Sequence, residues 1–272
     1  MNKKGHLFLR AFVLILLSLA VPIPSYALKF NVDPSKLTFV IKEGERKRDY
    51  ITVTNLDPES KIHVKGYVRD IIYLPDGSND FPTAGSTPWS CADWVKFNPS
   101  EFDIATNGEQ IVKLEVKVPP EAKGGHYGVV FFEVQPAREE KEAQSMANVA
   151  LRIGTLVLVN VKDTVIYNAK ILHFTAKPDE KKGGYTGVCS IQNNGNVLIK
   201  PAGTIRILND KGEKLLERDV NPTKTGVLPN TSKEFSVLFE NGKLEKGSYA
   251  VQAVIDYGGD VLLGGQTSIS VD

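Results

Sequence analysis

Strand-type alternation is the feature that most constrains how this 272-residue chain folds. Apolar and polar residues alternate in short segments rich in β-branched side chains, and no window shows sustained helical periodicity. Clusters of Gly, Pro, Asn and Asp separate the segments and predict turns. The predicted strands are twelve segments, at 36–44, 49–55, 61–70, 110–118, 126–134, 150–161, 169–176, 185–193, 203–208, 233–240, 248–257 and 266–272. Short strands at this spacing predict an all-β sandwich class.

The two halves of the chain repeat one order of elements. In each half a strand, a turn containing Asn and a second strand follow one another, around Asn55 in the first half and Asn193 in the second. A later strand pair in each half is joined by a turn that ends in Gly-x-Tyr. The sequence therefore predicts two immunoglobulin-like β-sandwich domains in tandem, at 28–162 and 163–272.

The Gly-x-Tyr turns lead to Tyr127 and Tyr249. In immunoglobulin-type sandwiches, a tyrosine near the start of a late strand returns its hydroxyl to the backbone just upstream and fixes the corner between the sheets. Both tyrosines are predicted to form such a corner. His126 of the first turn corresponds to Ser248 of the second, so this plan does not require a histidine.

Residues 1–27 have the pattern of a secretory signal peptide. Three basic residues begin the segment, residues 7–21 are almost wholly apolar, and small residues stand at 25 and 27. The apolar stretch is short for a membrane span, and no later stretch is long and apolar enough for one. The sequence predicts a chain that is exported to the periplasm or the extracellular space and has no membrane span after cleavage.

Charge and cysteine content limit the partners and the covalent framework. Without the predicted leader, 30 basic residues stand against 32 acidic ones, a net charge of −2 with no basic block. This balance argues against a nucleic-acid partner, which is held through many phosphate contacts. Cys91 and Cys189 are too few for a disulfide framework. They form either one bridge or two free thiols, and the strand pattern around Cys189 favours a buried free thiol.

Candidate catalytic and metal-binding residues do not form a recognisable constellation. His63, His126 and His173 are widely separated and lack the close pairs that zinc sites use. The sequence contains no Gly-x-Ser-x-Gly, Ser-x-x-Lys or phosphate-loop motif. Its acidic pairs lie within solvated charge runs. We therefore predict a protein that is not an enzyme and has no metal or cofactor.

The segment 73–93 is a long insertion between strands, of a length that is often functional. It carries three aromatic residues, Tyr73, Phe81 and Trp89. Exposed aromatic rings are typical of surfaces that bind sugars or proteins. One prediction is therefore a carbohydrate-binding surface module that uses these three rings.

The segment 149–161 follows a charged loop at 136–147 and is apolar on both faces over 155–161. Such a run fits a strand that is buried on both faces, the commoner origin of this pattern. It also fits an exposed edge that accepts a strand from a partner protein, with alternate side chains in contact. On the second interpretation Thr155, Val157 and Val159 are candidate partner-binding residues.

Several stretches resemble known envelope proteins. The first domain, from FNVDPSKLTFVIKEGERKRDYITVTNLD through WVKFNPSEFDI, resembles the N-terminal domain of PapD-like periplasmic pilus-assembly chaperones. The stretches DWVKFNPSEFDIATNGEQIVKLEVKVPPEAKGGHYG and NNGNVLIKPAGTIRI are also similar to the extracellular Ig-like domains of WxL-interacting proteins.

These resemblances imply a non-enzymatic cell-envelope protein that binds another envelope or surface protein, such as a pilus-type subunit, in a chaperone-like or scaffold role. In the chaperones, one basic residue on the first strand and one on the last strand of the first domain hold a subunit's terminal carboxylate. The resemblance implies Lys36 for the first position and Arg152, the nearest basic residue, for the second.

Overall fold

The computed structural model describes residues 29–74, 78–135, 151–179, 183–240 and 244–271, and the predicted signal peptide lies outside them. The strands are β1 Phe30–Asp33, β2 Lys36–Ile41, β3 Arg46–Asn55, β4 Ile62–Arg69, β5 Ile72–Tyr73, β6 Asn79–Asp80, β7 Val95–Asn98, β8 Glu101–Ile104, β9 Glu109–Lys117, β10 Gly125–Gln135, β11 Arg152–Val161, β12 Ala169–Pro178, β13 Tyr185–Asn193, β14 Ala202–Leu208, β15 Lys214–Val220, β16 Ser232–Phe239, β17 Gly247–Asp256 and β18 Leu263–Val271. A single turn of 3-10 helix at Ala92–Trp94 precedes β7.

Strands β1–β4 and β7–β11 form the N-terminal sandwich, and β5 pairs with β6 in a separate two-stranded sheet. One sheet has the order β1-β3-β9-β7, and the other has the order β2-β11-β10-β4-β8. The first strand is split between the sheets, because β1 pairs antiparallel with β3 whereas β2 pairs in parallel with β11. Strand β2 shows why the sheets pack together, since Leu37, Phe39 and Ile41 are buried and alternate with exposed residues. Their apolar faces enclose the first core.

Strands β12–β18 form the C-terminal sandwich, whose sheets have the orders β12-β13-β16 and β15-β14-β17-β18. The predicted all-β class with two immunoglobulin-like sandwiches is confirmed. All twelve predicted segments coincide with strands, and β1, β5, β6, β7, β8 and β15 were not among them. Strand β15 was missed because it lies at a sheet edge with mostly exposed or half-buried residues, which gives little hydrophobic alternation.

A third apolar cluster covers the outer face of the five-stranded sheet. Tyr127, Val129 and Phe131 of β10 belong to it, whereas Val130 and Phe132 point into the core of the sandwich. The 73–93 insertion and loops of the C-terminal sandwich cover this outer face, the latter through residues such as Leu228. Strand β10 is therefore buried on both faces, which explains its unbroken apolar sequence.

The two predicted Asn-centred turns have the same hydrogen bonds. Asn55 and Asn193 are both fully buried, and each side-chain oxygen accepts the backbone N–H two residues on. Each side-chain amide donates to carbonyls of neighbouring loops, for example from Asn55 to Ser60 at 2.8 Å and from Asn193 to Val197 at 2.7 Å. The correspondence between the halves therefore reflects one buried asparagine that ties loops to the end of a strand.

Tyr127 and Tyr249, the tyrosines of the two Gly-x-Tyr turns, differ in the hydrogen bonds that their hydroxyl groups form. The Tyr249 hydroxyl donates to the carbonyl of Glu245 at 2.8 Å, which confirms the tyrosine corner there. The prediction for Tyr127 was wrong, because its hydroxyl accepts the backbone N–H of Leu198 in the C-terminal sandwich at 2.5 Å. Burial raises the pKa of the Tyr127 hydroxyl. This tyrosine therefore joins the two sandwiches and does not close a corner within one.

Asn196 joins the sandwiches at the same place. Its side-chain oxygen accepts the N–H of Ile166 at 2.7 Å, and its side-chain amide donates to the carbonyl of Thr164 at 2.9 Å. Its backbone carbonyl accepts the N–H of Gly125 at 2.7 Å. One residue thus connects the start of β10, the segment between the sandwiches and the C-terminal sandwich.

Both cysteines are free and fully buried, Cys91 in the N-terminal core and Cys189 in the C-terminal core. Burial raises the pKa of Cys189 to about 11 and that of Cys91 further. We expect neither thiol to react with Ellman's reagent in the native protein, since the reactive thiolate is both inaccessible and disfavoured. Both thiols should react after denaturation without a reductant, and a smaller thiol count in the denatured chain would show a disulfide.

Candidate functional site

Strand β11 begins with a short stretch of backbone that no described residue pairs with on one side, and this stretch is called the free edge below. It pairs with β10 along its whole length, but β2 covers only Leu156–Val161 on its other side. The N–H of Val134 in β10 donates to the carbonyl of Leu151, and the N–H of Leu156 donates to the carbonyl of Ser35 next to β2. Because backbone groups alternate between the two sides of a strand, those of Arg152 and Gly154 point away from β10. These two residues lie beyond the start of β2 and form the free edge of the sheet.

The Arg152 side chain is held beside this edge. Its guanidinium carbon lies 4.8 Å from the ring centroid of Phe131 and 6.0 Å from that of Phe81. One of its nitrogens lies 3.4 Å from the Tyr67 hydroxyl, which donates to the Glu133 carboxylate at 2.7 Å. Burial and then the hydrogen bond to Glu133 raise the pKa of Tyr67. Aromatic rings therefore hold the cationic side chain of Arg152 beside the first residue of the free edge.

Gly154 is the other residue of the free edge. A Cβ atom at this position would lie 2.5 Å from a methyl group of Val129 and 2.9 Å from the Phe131 ring. Glycine therefore allows the side chains of β10 to cover the backbone on the outer face of the sheet. The edge keeps its backbone hydrogen-bonding groups without side-chain bulk at this point.

Thr155, Val157 and Val159 are fully buried. The Thr155 hydroxyl donates to the carbonyl of Pro34 at 2.8 Å, and both valines belong to the N-terminal core. Strand β11 is apolar on both faces because both faces are covered, as in the first interpretation of the sequence. A role of these three residues in partner binding stays a prediction. In the structure their side chains are buried within the N-terminal sandwich.

Lys36 and Arg152 are both exposed, but the structure does not bring them to one point. Lys36 lies opposite Leu156, four positions along β11 from Arg152, which corresponds to about 13 Å of strand. Strands β2 and β11 end side by side, with the N–H of Lys162 donating to the carbonyl of Ile41 at 2.8 Å. Lys42 and Lys162, both exposed, directly follow these ends. The structure thus places a lysine pair that the sequence reasoning missed, because only the parallel register makes the two residues neighbours.

The aromatic residues of the insertion pack on the protein itself. Tyr73, Phe81 and Trp89 are half-buried members of the cluster on the outer face. Phe81 meets Phe131 edge-on, with 4.9 Å between ring centroids, and the Trp89 indole N–H donates to the carbonyl of Ile71 at 3.2 Å. The three rings therefore cover the outer face of the five-stranded sheet. A glycan-binding role for them stays a prediction.

Asp70 organises the insertion, and the sequence reasoning missed it. Its carboxylate is fully buried and accepts hydrogen bonds from the backbone N–H groups of Gly85 and Thr87 and from three hydroxyl groups. The hydroxyls belong to Ser86, Thr87 and Ser90, with the shortest distance, 2.6 Å, to Ser90. Burial alone would raise the pKa of Asp70, but these donors outweigh it and the pKa is lowered. The run of hydroxyl residues in GSTPWS was the available signal.

The histidines have ordinary structural partners. His63 lies 2.6 Å from the Asp103 carboxylate and 2.9 Å from that of Glu101, and these contacts raise its pKa. His126 is half-buried against Trp94, and burial lowers its pKa. Within the described ranges, no group of three or more His, Cys, Asp or Glu residues is arranged to hold a metal ion. No helix among the described residues is long and apolar enough to cross a membrane.

Comparison with known proteins identifies the fold. No family model matches the sequence, and no curated protein matches it. Among solved structures, a chain from the chaperone–tip adhesin complex of CFA/I fimbriae biogenesis is similar over 89% of this chain and 100% of its own, with a TM-score of 0.50 and 13% identity. The fold is that of the PapD-like fimbrial chaperones.

Two further PapD-like structures are similar to this chain. The class 5 fimbriae chaperone CfaA matches 89% of this chain and 100% of its own, with 14% identity and a TM-score of 0.48. A structure of the Salmonella enterica SafA pilin in complex with the SafB chaperone matches 91% of this chain and 98% of the other, with 12% identity and a TM-score of 0.44. The predicted likeness to WxL-interacting proteins stays a prediction.

Proposed function

We propose that this chain is an exported, non-enzymatic protein of the cell envelope that binds an extended segment of another envelope or surface protein in a chaperone-like role. The free edge formed by Arg152 and Gly154 carries the proposal. Unpaired backbone groups at a sheet edge bind an incoming strand through main-chain hydrogen bonds. The likeness in fold to a chain from the chaperone–tip adhesin complex of CFA/I fimbriae biogenesis supports a surface subunit as the partner.

The proposed organisation has a cleaved signal peptide at 1–27, a first domain at 28–162 and a second at 163–272. The added strand would pair with the first residues of β11, in the part of 149–161 that β2 does not cover. Pairing beyond Thr155 on that side would require β2 to leave the sheet. The proposed binding edge is therefore shorter than the apolar segment of the sequence.

The lysine pair is the proposed anchor for the end of the partner. The resemblance to the chaperones implies one basic residue on the first strand and one on the last strand as ligands of a terminal carboxylate. Lys42 and Lys162 follow strand ends that are hydrogen-bonded to each other, so one carboxylate can lie between them. We propose this pair for the role, in place of Lys36 and Arg152.

Two substitutions at one position test the strand edge. Arg152→Ala removes the side chain and keeps the backbone N–H, whereas Arg152→Pro also removes the N–H that points to the incoming strand. The partner is first captured from periplasmic extract, identified by mass spectrometry and purified. We expect Arg152→Pro to bind it about tenfold more weakly than Arg152→Ala, since about 1.4 kcal/mol corresponds to that factor.

Controls separate loss of binding from loss of folding. The midpoints of thermal unfolding of the two variants should lie within a few degrees of each other, because position 152 lies at an exposed strand end. Replacement of both Lys42 and Lys162 by Ala should weaken binding, with Lys36→Ala as the matched single control on β2. Equal affinity of the Ala and Pro variants at position 152, with both folded, would contradict binding through this edge.

A further inference from the structure

The ring of His126 lies between two backbone carbonyl oxygens. Its Nδ1 atom is 3.1 Å from the carbonyl oxygen of Ser90, and its Nε2 atom is 3.2 Å from that of Lys123. A carbonyl oxygen only accepts hydrogen bonds, and a neutral imidazole carries one N–H group. The neutral ring can therefore donate to one of the two carbonyls, whereas the doubly protonated imidazolium donates to both.

The indole of Trp94 adds a contact that also favours the charged ring. The ring centroids of Trp94 and His126 are 4.0 Å apart, with 41° between the ring planes. The face of an indole carries partial negative charge and attracts a cation. Three neighbours from separate parts of the chain therefore surround His126 in a way that suits an imidazolium.

Burial opposes the second proton. It lowers the pKa of His126 below the ordinary value of 6.5, and the two carbonyls offset this only in part. The titratable groups on the elements around the ring are the exposed Asp93, Glu121 and Lys123 and the buried Cys91 and Tyr127. Burial raises the pKa of both buried groups, so they stay neutral. Strand β11 faces His126 with Val159, which does not titrate. Of these side chains, histidine is the type whose ordinary pKa lies between 5 and 8.

The Gly-x-Tyr turn itself does not require a histidine. Ser248 stands at the corresponding position of the second turn, and the corner at Tyr249 forms there. The contacts of His126 with Ser90 and Lys123 are therefore particular to the first domain and are not part of the plan that both domains share.

The two carbonyls belong to segments that meet the C-terminal sandwich. Ser90 lies in the insertion at 73–93, which covers the outer face of the five-stranded sheet together with loops of the C-terminal sandwich. Lys123 directly precedes Gly124, whose N–H donates to the hydroxyl of Thr164, between the sandwiches, at 2.8 Å. A ring that holds both carbonyls therefore ties together two segments at the junction of the sandwiches.

We propose that His126 is a proton-responsive switch, in which a second proton on the ring joins Ser90 of the insertion to Lys123 of the turn. The ring is half-buried, so the proton comes from solvent, and no covalent bond of the chain changes. In the neutral form one of the two contacts is not a hydrogen bond. In the charged form both carbonyls are held, and the junction between the sandwiches tightens. The switch includes neither the free edge of β11 nor the lysine pair, so it does not depend on the proposed function.

The overall stability changes in the opposite direction to the junction. Because the pKa of His126 is lower in the folded protein than in the unfolded chain, the unfolded chain binds this proton more tightly. The contribution of His126 to stability is therefore fully present above the unfolded pKa of about 6.5. It is lost as the pH falls through the lower folded pKa. A test of the switch therefore measures the junction itself and not global unfolding.

Nitrogen NMR of the His126 ring and hydrogen exchange of the Gly125 and Leu198 amides test the switch between about pH 8 and about pH 4.5. This range lies above the lowered pKa of Asp70, which holds the insertion. In the acidic form, we expect both ring N–H groups to be hydrogen-bonded and slow to exchange. The two amides donate from one sandwich to the other. After correction for intrinsic exchange rates, their protection should rise about fivefold on protonation, since one hydrogen bond is gained nearby.

His126→Gln keeps a polar side chain that does not titrate, and the protection of the two amides should then not depend on pH. His173→Gln, which replaces an exposed histidine of the C-terminal sandwich, is the matched control and should keep the wild-type dependence. If His126→Gln does not fold, His126→Ser, with the residue of the corresponding turn, takes its place.

Three results would overturn the proposal. The first is pH-dependent protection of the two amides that persists in the folded variant at position 126. The second is protection that stays constant or falls when the wild-type ring is protonated, since a fall would mean that the charged ring leaves its site. The third is an acidic form in which one ring N–H exchanges freely with solvent.

Discussion

Replacement of Asp70 by Ala should lower the free energy of unfolding by about 2–4 kcal/mol. The substitution removes the acceptor of hydrogen bonds from Gly85, Ser86, Thr87 and Ser90, and some of these donors are left unsatisfied in the interior. Urea denaturation measures the loss. Asp93→Ala, which removes an exposed carboxylate from the same segment, should change the stability by no more than about 0.5 kcal/mol.

The pH dependence of stability gives an independent test of Asp70. Because its pKa is lower in the folded protein than in the unfolded chain, its stabilisation is fully present above the unfolded pKa. It is lost as the pH falls through the lower folded pKa. The difference in stability between wild type and Asp70→Asn should therefore shrink below about pH 4. A difference that stays constant down to pH 2 would contradict the ionised, hydrogen-bonded carboxylate.

Gly124→Ala should destabilise the protein by about 3 kcal/mol, from two separate causes. Gly124 has a φ of +78°, which an alanine adopts only with strain. A Cβ atom would also lie 2.4 Å from the backbone oxygen of Asn196, which accepts a hydrogen bond from Gly125. The clash therefore opens the contact between the two sandwiches.

Gly44→Ala is the matched control for this substitution. Gly44 has a φ of +75°, and a Cβ atom there would meet nothing within 4 Å. It should show the conformational cost alone, about 1 kcal/mol. Urea unfolding followed by fluorescence and by circular dichroism compares the two variants. Equal losses in both would mean that the contact of Gly124 with Asn196 does not contribute.

Patterns confined to one strand or one turn predicted the structure well. The period-two segments coincide with strands because alternation reports which residues of a strand face the core, and that is a local property. The corner at Tyr249 was predictable for the same reason, since its hydroxyl reaches a carbonyl only four residues upstream. Tyr127 stands in the same local pattern, but its partner, Leu198, lies 71 residues away.

Predictions about the site depended on contacts between segments that are distant in sequence. The hydrophobic alternation within one strand does not report such contacts. The double-sided apolar pattern of β11 fitted both an exposed edge and a buried strand. The structure separates the two possibilities within one strand, because β2 covers its second half and, among the described residues, nothing pairs with Arg152 and Gly154 on that side. The aromatic residues of the insertion had the composition of a binding face, and they cover the outer face of the sheet.

The sequence by itself determined the all-β class, the two-sandwich plan and the position of most strands, because these follow from local periodicity and turn residues. Only the tertiary structure decided which backbone groups of β11 are free, that Lys42 and Lys162 are neighbours, and that Asp70 holds the insertion. The physical reason is that register, parallel pairing and burial of a charged group arise between segments distant in sequence. The free energy of each such contact depends on both segments, and neither segment alone carries it.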